Sequence, residues 1–238
     1  MNRRQSPEHA RALRIHQALA RELGMAILSG KHQPGDNLGG EIEEALALGV
    51  SRTAYREAIR ILIAKGLLDS RPKAGTSITP RHRWNLLDPD ILAWMFMGEP
   101  DPRFIRDLFE LRGIIEPAAT ALAAERRTDE QLSAMEEALS DMRRWGLKTE
   151  QGQAADRQFH RAILEATANE TLISLAGSVG AAVQWTTHFK QRARKKPRDP
   201  VPEHAALYEA IAAQDASLAH QTMVHLLKLA LEDMKLSL

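Results

Sequence analysis

The sequence predicts a mainly α-helical protein in two parts: a small unit of three helices with a β-hairpin, and then an all-α antiparallel helix bundle. Two observations predict this fold class. Aromatic residues make up only 5% of the 238 residues, while Ala, Leu, Glu and Arg, which lose little rotamer freedom in a helix, are common. Apolar residues also recur at helical spacing along nearly the whole chain, and alternation typical of strands follows only the third helix.

Turn and capping residues delimit the elements of the first part. Apolar residues from Ala10 to Leu28 predict a first helix, which "SGKHQPGDNL" ends, and a second helix is expected from Gly40 to Leu48. Ser51 is placed to cap the third helix. The inner side of that helix is expected to carry Tyr55, Ala58, Ile59, Leu62 and Ile63. After it, "LLDSRPKAGTSITP" predicts two short strands around a turn.

The domain boundaries are expected to follow these elements. Residues 1–80 would form the first domain, residues 81–90 a linker and residues 91–238 the bundle. Short breaks between amphipathic helices indicate antiparallel neighbours. The helices of the bundle are expected at about 90–98, 101–125, 129–146, 150–168, 170–190, 201–213 and 215–236. The segment 190–202 is rich in Lys, Arg and Pro, and we expect a solvated, mobile loop there because like charges repel one another. Contact with phosphate is the alternative.

Composition excludes several classes of protein. The absence of cysteine excludes disulfide frameworks and thiolate metal sites. No apolar run approaches the roughly 20 residues that span a bilayer, and the N-terminus is too polar for a secretory signal, so a cytoplasmic protein without membrane contact is expected. Residues 1–80 contain twelve Lys and Arg against eight Asp and Glu, whereas the remainder is net negative. This asymmetry favours contact of the first part with a polyanion.

Three small helices followed by a hairpin are typical of a winged helix-turn-helix, in which the last helix enters the major groove of DNA. Ser51, Arg52, Thr53 and Arg56 would then share the outward surface of that helix. Arginine offers a planar fork that binds phosphate or guanine, and hydroxyl groups suit phosphate. The alternative is a solvated face on which Arg56 pairs with Glu57.

Three motifs in this part resemble the GntR family of bacterial transcription regulators: "ILSGKHQPGDNL", "LALGVSRTAYREAIRILIAKGLL" and "KAGTSITP". The resemblance implies that Arg52 and Arg56 contact double-stranded operator DNA, and that the wing around Lys73, Ala74 and Gly75 reaches the minor groove or nearby phosphates. One stretch departs from the family pattern. Where the family usually has "LPSER", this chain has "LGGEI", so that Ile42 replaces a frequent DNA-contacting arginine.

The remainder resembles the FCD effector domain of the FadR-type branch of this family, on the residues "LFELRGIIEPAATALAAER", "ADRQFHRAILEATANETL" and "EHAALYEAIAAQDASLAHQTMVHL". The stretch 83–105, "RWNLLDPDILAWMF...DPRFI", is similar to the linker and first helix of D-galactonate-operon repressors. This similarity implies a small carboxylate effector, in particular a sugar acid such as an aldonate.

A metal site is predicted in this second part. Asp156 and His160 are four residues apart on one helix, and a carboxylate–imidazole set without sulfur suits Zn, Ni, Mn or another divalent ion. The resemblance adds His204 as a third ligand. It places the fourth about 22 residues further on, where this chain has Leu at position 226 and His225 one position early. Because one residue turns a side chain by about 100° around a helix, His225 is in doubt as a ligand.

Arg112 matches an inward arginine of the family and would bind a carboxylate through its two N–H groups. The alternative is an ion pair with Glu116 on the next helical turn, and the two roles are compatible. Gln184, Thr187 and His188 are polar residues on the helix before the basic segment, and their position suggests contacts to hydroxyl groups of the effector.

These residues and the resemblance together predict a ligand-responsive transcription regulator and not an enzyme. It would bind a near-palindromic operator as a homodimer. The resemblance further implies that it acts as a repressor and releases DNA when the acid binds. A metal-dependent hydrolase that uses Asp156, His160 and His204 is an alternative, although no motif supplies its general base. A DNA-binding protein without ligand control is another.

Overall fold

The computed structural model describes residues 7–71, 75–193 and 195–237. The chain divides into two compact units, Met1–Met95 and Phe96–Leu238. Residues 81–90 lie within the first unit, held by Lys65, whose ammonium donates hydrogen bonds to Asp88 Oδ1 at 2.6 Å and to Asp90 Oδ2 at 2.7 Å. The domain boundaries expected from the sequence stay a prediction.

The first unit contains the predicted three helices and hairpin. Its elements are α1 (Pro7–Leu28), β1 (Asn37–Leu38), α2 (Glu41–Ala47), α3 (Arg52–Ala64), β2 (Leu68–Arg71), β3 (Gly75–Ile78), a 3-10 turn (Arg81–Arg83) and the greater part of α4 (Pro89–Met97). The sheet has the order β1-β3-β2 and is antiparallel. Strand β1 was not predicted, because two residues are too few to show an alternating pattern.

Helix α3 is anchored by one face. Tyr55, Ala58, Ile59 and Leu62 are buried, as predicted, and the Ser51 hydroxyl accepts a hydrogen bond from the Ala54 N–H at 3.1 Å, so Ser51 caps the helix. The prediction for Ile63 was wrong: it is 38% exposed. Ile63 is rotated about 100° from Leu62 and lies at the edge of the buried face, where no neighbour covers it fully.

The second unit is all-α. Its helices are the end of α4, α5 (Pro102–Arg126), α6 (Asp129–Trp145), α7 (Glu150–Ala166), α8 (Glu170–Ser174), α9 (Ala176–Ala193), α10 (Val201–Ala212) and α11 (Ala216–Lys235). The mainly α fold is confirmed. The single helix expected over 170–190 was wrong, because a tight turn at Leu175 separates α8 from α9. Helix α9 also continues beyond the expected end, which places the first residues of the basic segment on a helix.

The core of the second unit packs α7 against its neighbours. Phe159 is fully buried together with Met135, Leu207 and Met223. Since Phe159 and His160 are adjacent, the packing of Phe159 fixes the direction of the next side chain, which lies towards α5 and α10. Among the described residues, none of the helices combines the length and the apolar character that crossing a bilayer requires.

Candidate functional site

The N-terminal turn of α3 presents the residues predicted to contact DNA. Ser51, Arg52, Thr53 and Arg56 are all exposed, and the side chains of the two arginines are 59% and 51% exposed. Ile42, on α2, is 60% exposed. Two cations on α3 are thus exposed, and the position on α2 where the family often has a further arginine carries an exposed apolar side chain.

Glu41, the first residue of α2, binds both arginines. Arg56 donates from Nε to Glu41 Oε2 at 3.2 Å and from Nη2 to Oε1 at 2.9 Å, and Arg52 donates from Nε to Oε1 at 3.3 Å. Hydrogen bonding to Arg56 is the main reason why the pKa of Glu41 is lowered. Glu57, the partner considered above for Arg56, instead accepts from Arg60 Nη1 at 2.6 Å.

The contact to Glu41 leaves part of the Arg56 guanidinium free. Glu41 occupies the side formed by Nε and Nη2, so the end formed by the two Nη groups remains available to a bidentate acceptor such as guanine. In the wing, Gly75 begins β3 with a φ of +81°, which glycine adopts without strain. Lys73 and Ala74 lie outside the described residues.

Three buried side chains on α7 and α10 form the candidate metal centre. Asp156 Oδ1 lies 3.2 Å from His204 Nε2 and 3.7 Å from His160 Nε2. The two Nε2 atoms are 3.4 Å apart. Around a tetrahedral zinc ion with bonds of about 2.05 Å, neighbouring ligand atoms are about 3.3 Å apart. The three atoms are thus spaced as one face of such a site.

The other ring nitrogens determine which atoms face this centre. His204 Nδ1 lies 2.8 Å from the Pro200 carbonyl oxygen, and His160 Nδ1 lies 2.8 Å from Glu116 Oε2. Both oxygens are acceptors, so a proton on each Nδ1 would lie near an acceptor and leave each Nε2 turned towards Asp156. In that state two lone pairs and a carboxylate oxygen converge, an arrangement that a bound cation stabilises. The donor set therefore fits a divalent metal.

Glu116 links this centre to Arg112. Arg112 donates from Nε to Glu116 Oε1 at 2.5 Å, from Nη2 to Oε2 at 3.4 Å and from Nη1 to Thr186 Oγ1 at 3.3 Å. Burial alone would raise the pKa of Glu116, but the charges of Arg112 and His160 outweigh it and lower the pKa to about 2. Burial opposes ionisation of Asp156 as well, and the bond to His204 with the nearby cations lowers its pKa below the usual range.

A small cavity of about 20 Å³ adjoins the centre, enough for one water molecule or ion. Thr187 lines it and donates to Asp156 Oδ2 at 3.0 Å. The remaining residues around it are Arg112, Asp156, His160, Val183, Lys190, Arg198, Pro200, His204, Leu226 and Ala230. Arg198 is held by Glu203 at 2.6 Å and by Asp233 at 2.8 Å. The solvated loop expected over 190–202 was therefore wrong for Lys190 and Arg198.

Three predicted residues are not brought to this cavity. Gln184 accepts a hydrogen bond from Arg157 at 2.5 Å, and the His188 ring packs against Trp185. His225 is exposed, and the next residue of α11, Leu226, lines the cavity in its place. The rotation of one residue around the helix, which put His225 in doubt, accounts for this.

Comparison with known proteins gives the family. Residues 15–78 match the family described as "Bacterial regulatory proteins, gntR family", and residues 107–229 match the FCD domain. The Galactonate operon transcriptional repressor of Escherichia coli (strain K12) is 36% identical over 202 residues, which cover 84% of this chain and 87% of that protein. The chain belongs to the GntR family.

A second relative agrees with this assignment, and one solved structure shares the fold. The HTH-type transcriptional regulator LutR of Bacillus subtilis (strain 168) is 30% identical to this GntR regulator over 83% of the chain and 91% of its own length. A solved structure described as "Lar controls the expression of the Listeria monocytogenes agr system and mediates virulence" has a TM-score of 0.64 at 17% identity, covering 98% of this chain and 99% of its own. That likeness shows the fold alone.

Family membership decides between the classes of function considered above. This GntR protein is a ligand-responsive, DNA-binding transcription regulator and not an enzyme, so the hydrolase alternative has no support. Two residues of its sites were missed from the sequence. Glu41 was given no role, and Lys190 was counted as part of a solvated loop. Neither role leaves a local pattern in the sequence. The partners of Glu41 are 11 and 15 residues away, and Lys190 lines a cavity with residues of other helices.

Proposed function

We propose that this protein is a repressor that binds a near-palindromic operator as a homodimer and releases it when a small sugar acid binds the second unit. The DNA half rests on the exposed arginines of α3, and twofold pairing of such helices is reflected in paired half-sites. Repression and the acid are suggested by the name of the galactonate relative. Arg52 and Arg56 would contact bases or phosphates, Ser51 and Thr53 phosphates, and the wing residues Lys73 and Gly75 the neighbouring groove.

The observation that carries the effector half is the triangle of Asp156, His160 and His204. We propose that these residues hold a divalent ion, with zinc favoured by the separations of 3.2 to 3.7 Å and by the imidazole ligands. Nickel and manganese remain candidates. When bound, the ion supplies a positive charge and open coordination positions that attract a carboxylate.

A three-residue site suits an acid with a hydroxyl next to its carboxylate. Such an acid offers two neighbouring oxygens, which can occupy two open positions of one metal ion. Aldonates have this group. The free space of about 20 Å³ is smaller than an aldonate, so binding requires side chains around the cavity to move. Its long side chains are Arg112, Lys190 and Arg198.

Release of DNA requires that the acid bind one arrangement of the DNA-binding units better than another, since equal affinity would shift nothing. Glu116 is placed to contribute to this preference, because it contacts both His160, a proposed metal ligand, and Arg112.

The effector half is tested by a thermal-shift screen of aldonates, aldarates and short 2-hydroxy acids on the zinc-loaded protein, with and without chelator. A stabilising acid whose effect disappears with chelator is the expected result. If no acid changes the melting temperature, or if its effect survives complete removal of metal, the proposed site is refuted. Asp156→Asn is the matched variant: it keeps the size of the side chain, loses the ligand charge and should abolish the response.

The DNA half is tested with Arg56→Ala against Arg60→Ala. Both residues are exposed arginines on α3, but Arg60 is paired with Glu57 and lies one turn further along the helix. On a duplex selected by the wild-type protein from a random library, Arg56→Ala should abolish the gel shift and Arg60→Ala should keep most of it. Equal losses in both variants would contradict the assignment of Arg56.

A further inference from the structure

Arg112 is fully engaged within the protein. Three of its nitrogens donate hydrogen bonds, two to Glu116 and one to Thr186, and the side chain is only 5% exposed. The negative charge of Glu116 compensates the positive charge of Arg112. A carboxylate that bound Arg112 through two N–H groups would have to displace Glu116, which also holds His160. Arg112 is thus poorly placed to act as the main anion-binding group.

Lys190 has the opposite environment. It lies on α9, lines the same cavity as Asp156, His160 and His204, and is partly buried. Within the part of the chain that the structure describes, its ammonium donates no hydrogen bond to any group and no carboxylate lies within 4 Å of it. Burial lowers the pKa of Lys190, Asp156 and Asp233 attract its charge from a distance, and the charges of Arg112 and Arg198 repel it. A cation in such surroundings is stabilised by an anion that enters from solvent.

The other cation of the cavity wall, Arg198, is compensated. It is paired with Glu203 and Asp233 at 2.6 and 2.8 Å. Lys190 is therefore the cation lining the cavity for which the described residues provide no direct counter-ion.

We infer that Lys190 is the residue that recognises the effector's carboxylate, with one carboxylate oxygen bound to the metal ion and the other to the Lys190 ammonium. This rests on the proposed function, since it requires the metal and the acid. It assigns to Lys190 the role that the family resemblance implied for Arg112. A compact ammonium with three donors suits a carboxylate already fixed by a metal, because it needs no bidentate geometry.

The assignment restricts the effector class. The ligand must have a free carboxylate beside a metal-binding oxygen, so a lactone or a polyol of the same carbon skeleton loses both the charge and the contact with Lys190. Arg112 becomes a positioning residue that acts through Glu116 and His160.

The test is calorimetric titration of the zinc-loaded full chain with D-galactonate, with D-galactono-1,4-lactone as the ligand without a carboxylate. If D-galactonate gives no heat, the most stabilising acid of the screen takes its place. Lys190→Met should weaken binding of the acid by about 10- to 100-fold, the range for loss of a charge-assisted hydrogen bond. Lys196→Met, which removes an exposed lysine from the following loop, should leave it unchanged. Lys190→Arg should bind within a few fold of wild type.

Zinc affinity separates recognition from a structural role. In Lys190→Met it should stay within about threefold of wild type, because Asp156, His160 and His204 are intact. Equal acid affinity in wild type and Lys190→Met would overturn the inference, and so would a parallel loss of zinc and acid binding, which would mark Lys190 as a structural counter-ion of Asp156. If no acid binds the wild-type protein, the proposed function itself fails, and the inference with it.

Discussion

Replacement of Glu41 by Gln tests how the DNA-contacting surface is organised. One carboxylate accepts three hydrogen bonds from two guanidinium groups whose side chains are about half exposed. The amide keeps the size of the side chain and one acceptor oxygen but removes the charge and the second acceptor, so the pair of arginines gains one net positive charge. Arg56 then keeps at most one of its two hydrogen bonds to residue 41 and rotates more freely.

The two consequences act on different DNA affinities. The added charge should strengthen binding to unrelated DNA and make the slope of log K against log salt steeper by up to about 0.9, the effect of one further phosphate contact. The freed guanidinium should weaken contact with specific bases, because its orientation must be fixed on binding. We expect the ratio of operator to unrelated-DNA affinity to fall about tenfold, while the thermal stability of the protein changes little.

Fluorescence anisotropy with a selected duplex and a scrambled duplex, at several salt concentrations, measures both affinities. Glu57→Gln is the control: it removes the same charge from a neighbouring pair, Arg60–Glu57, and should raise both affinities equally. If Glu41→Gln also raises both by the same factor, Glu41 only screens charge, and its proposed role in orienting Arg56 is refuted.

Four other substitutions have defined outcomes. Glu116→Gln should lower zinc and acid affinity together, each by about 10- to 100-fold, because the uncharged amide fixes His160 and Arg112 less well. A competition titration with a zinc chelator measures the zinc affinity, and a loss of acid binding without a loss of zinc binding would contradict this. Leu226→His should tighten zinc binding by adding a fourth ligand at the cavity, whereas His225→Ala should leave zinc affinity unchanged. Weaker zinc binding in His225→Ala, with no gain in Leu226→His, would show that α11 is turned differently. Gly24→Ala should lower the free energy of unfolding by about 1–3 kcal/mol, because its Cβ would lie 2.4 Å from Cζ3 of the Trp94 ring. An unchanged free energy of unfolding in urea denaturation would mean that the ring shifts freely.

Regular helices were the best predicted part of the fold. Helical periodicity with caps and turns predicted α10 over 201–213, and it spans Val201–Ala212. Failures arose where no side-chain pattern marks the change. No Gly or Pro stands at Leu175, where α8 ends, and β1 is only two residues long. Boundary positions such as Ile63 also depend on which neighbour covers them, and periodicity alone does not determine this.

The candidate site was predictable to the extent that its partners are close in sequence. The i, i+4 spacing put Asp156 and His160 together, whereas His204 was expected only from the family resemblance. The structure brings the three together. Contacts between different helices, such as that of Glu41 with Arg56 or the position of Lys190 at the cavity, arise from tertiary packing and leave no local signal. The position of His225 away from the cavity could be expected from helix geometry together with the ligand position that the family resemblance implies.

The central claim is that one acid, bound through the metal at Asp156, His160 and His204, controls DNA binding. The most direct measurement is the anisotropy of a labelled, selected duplex bound to the protein while the stabilising acid is added, first with zinc and then after chelation. We predict that the acid releases DNA from the zinc-loaded protein, and that it has no effect after chelation or in Asp156→Asn. Release that is equal with and without metal, or DNA binding unaffected by an acid that does bind, would contradict the account.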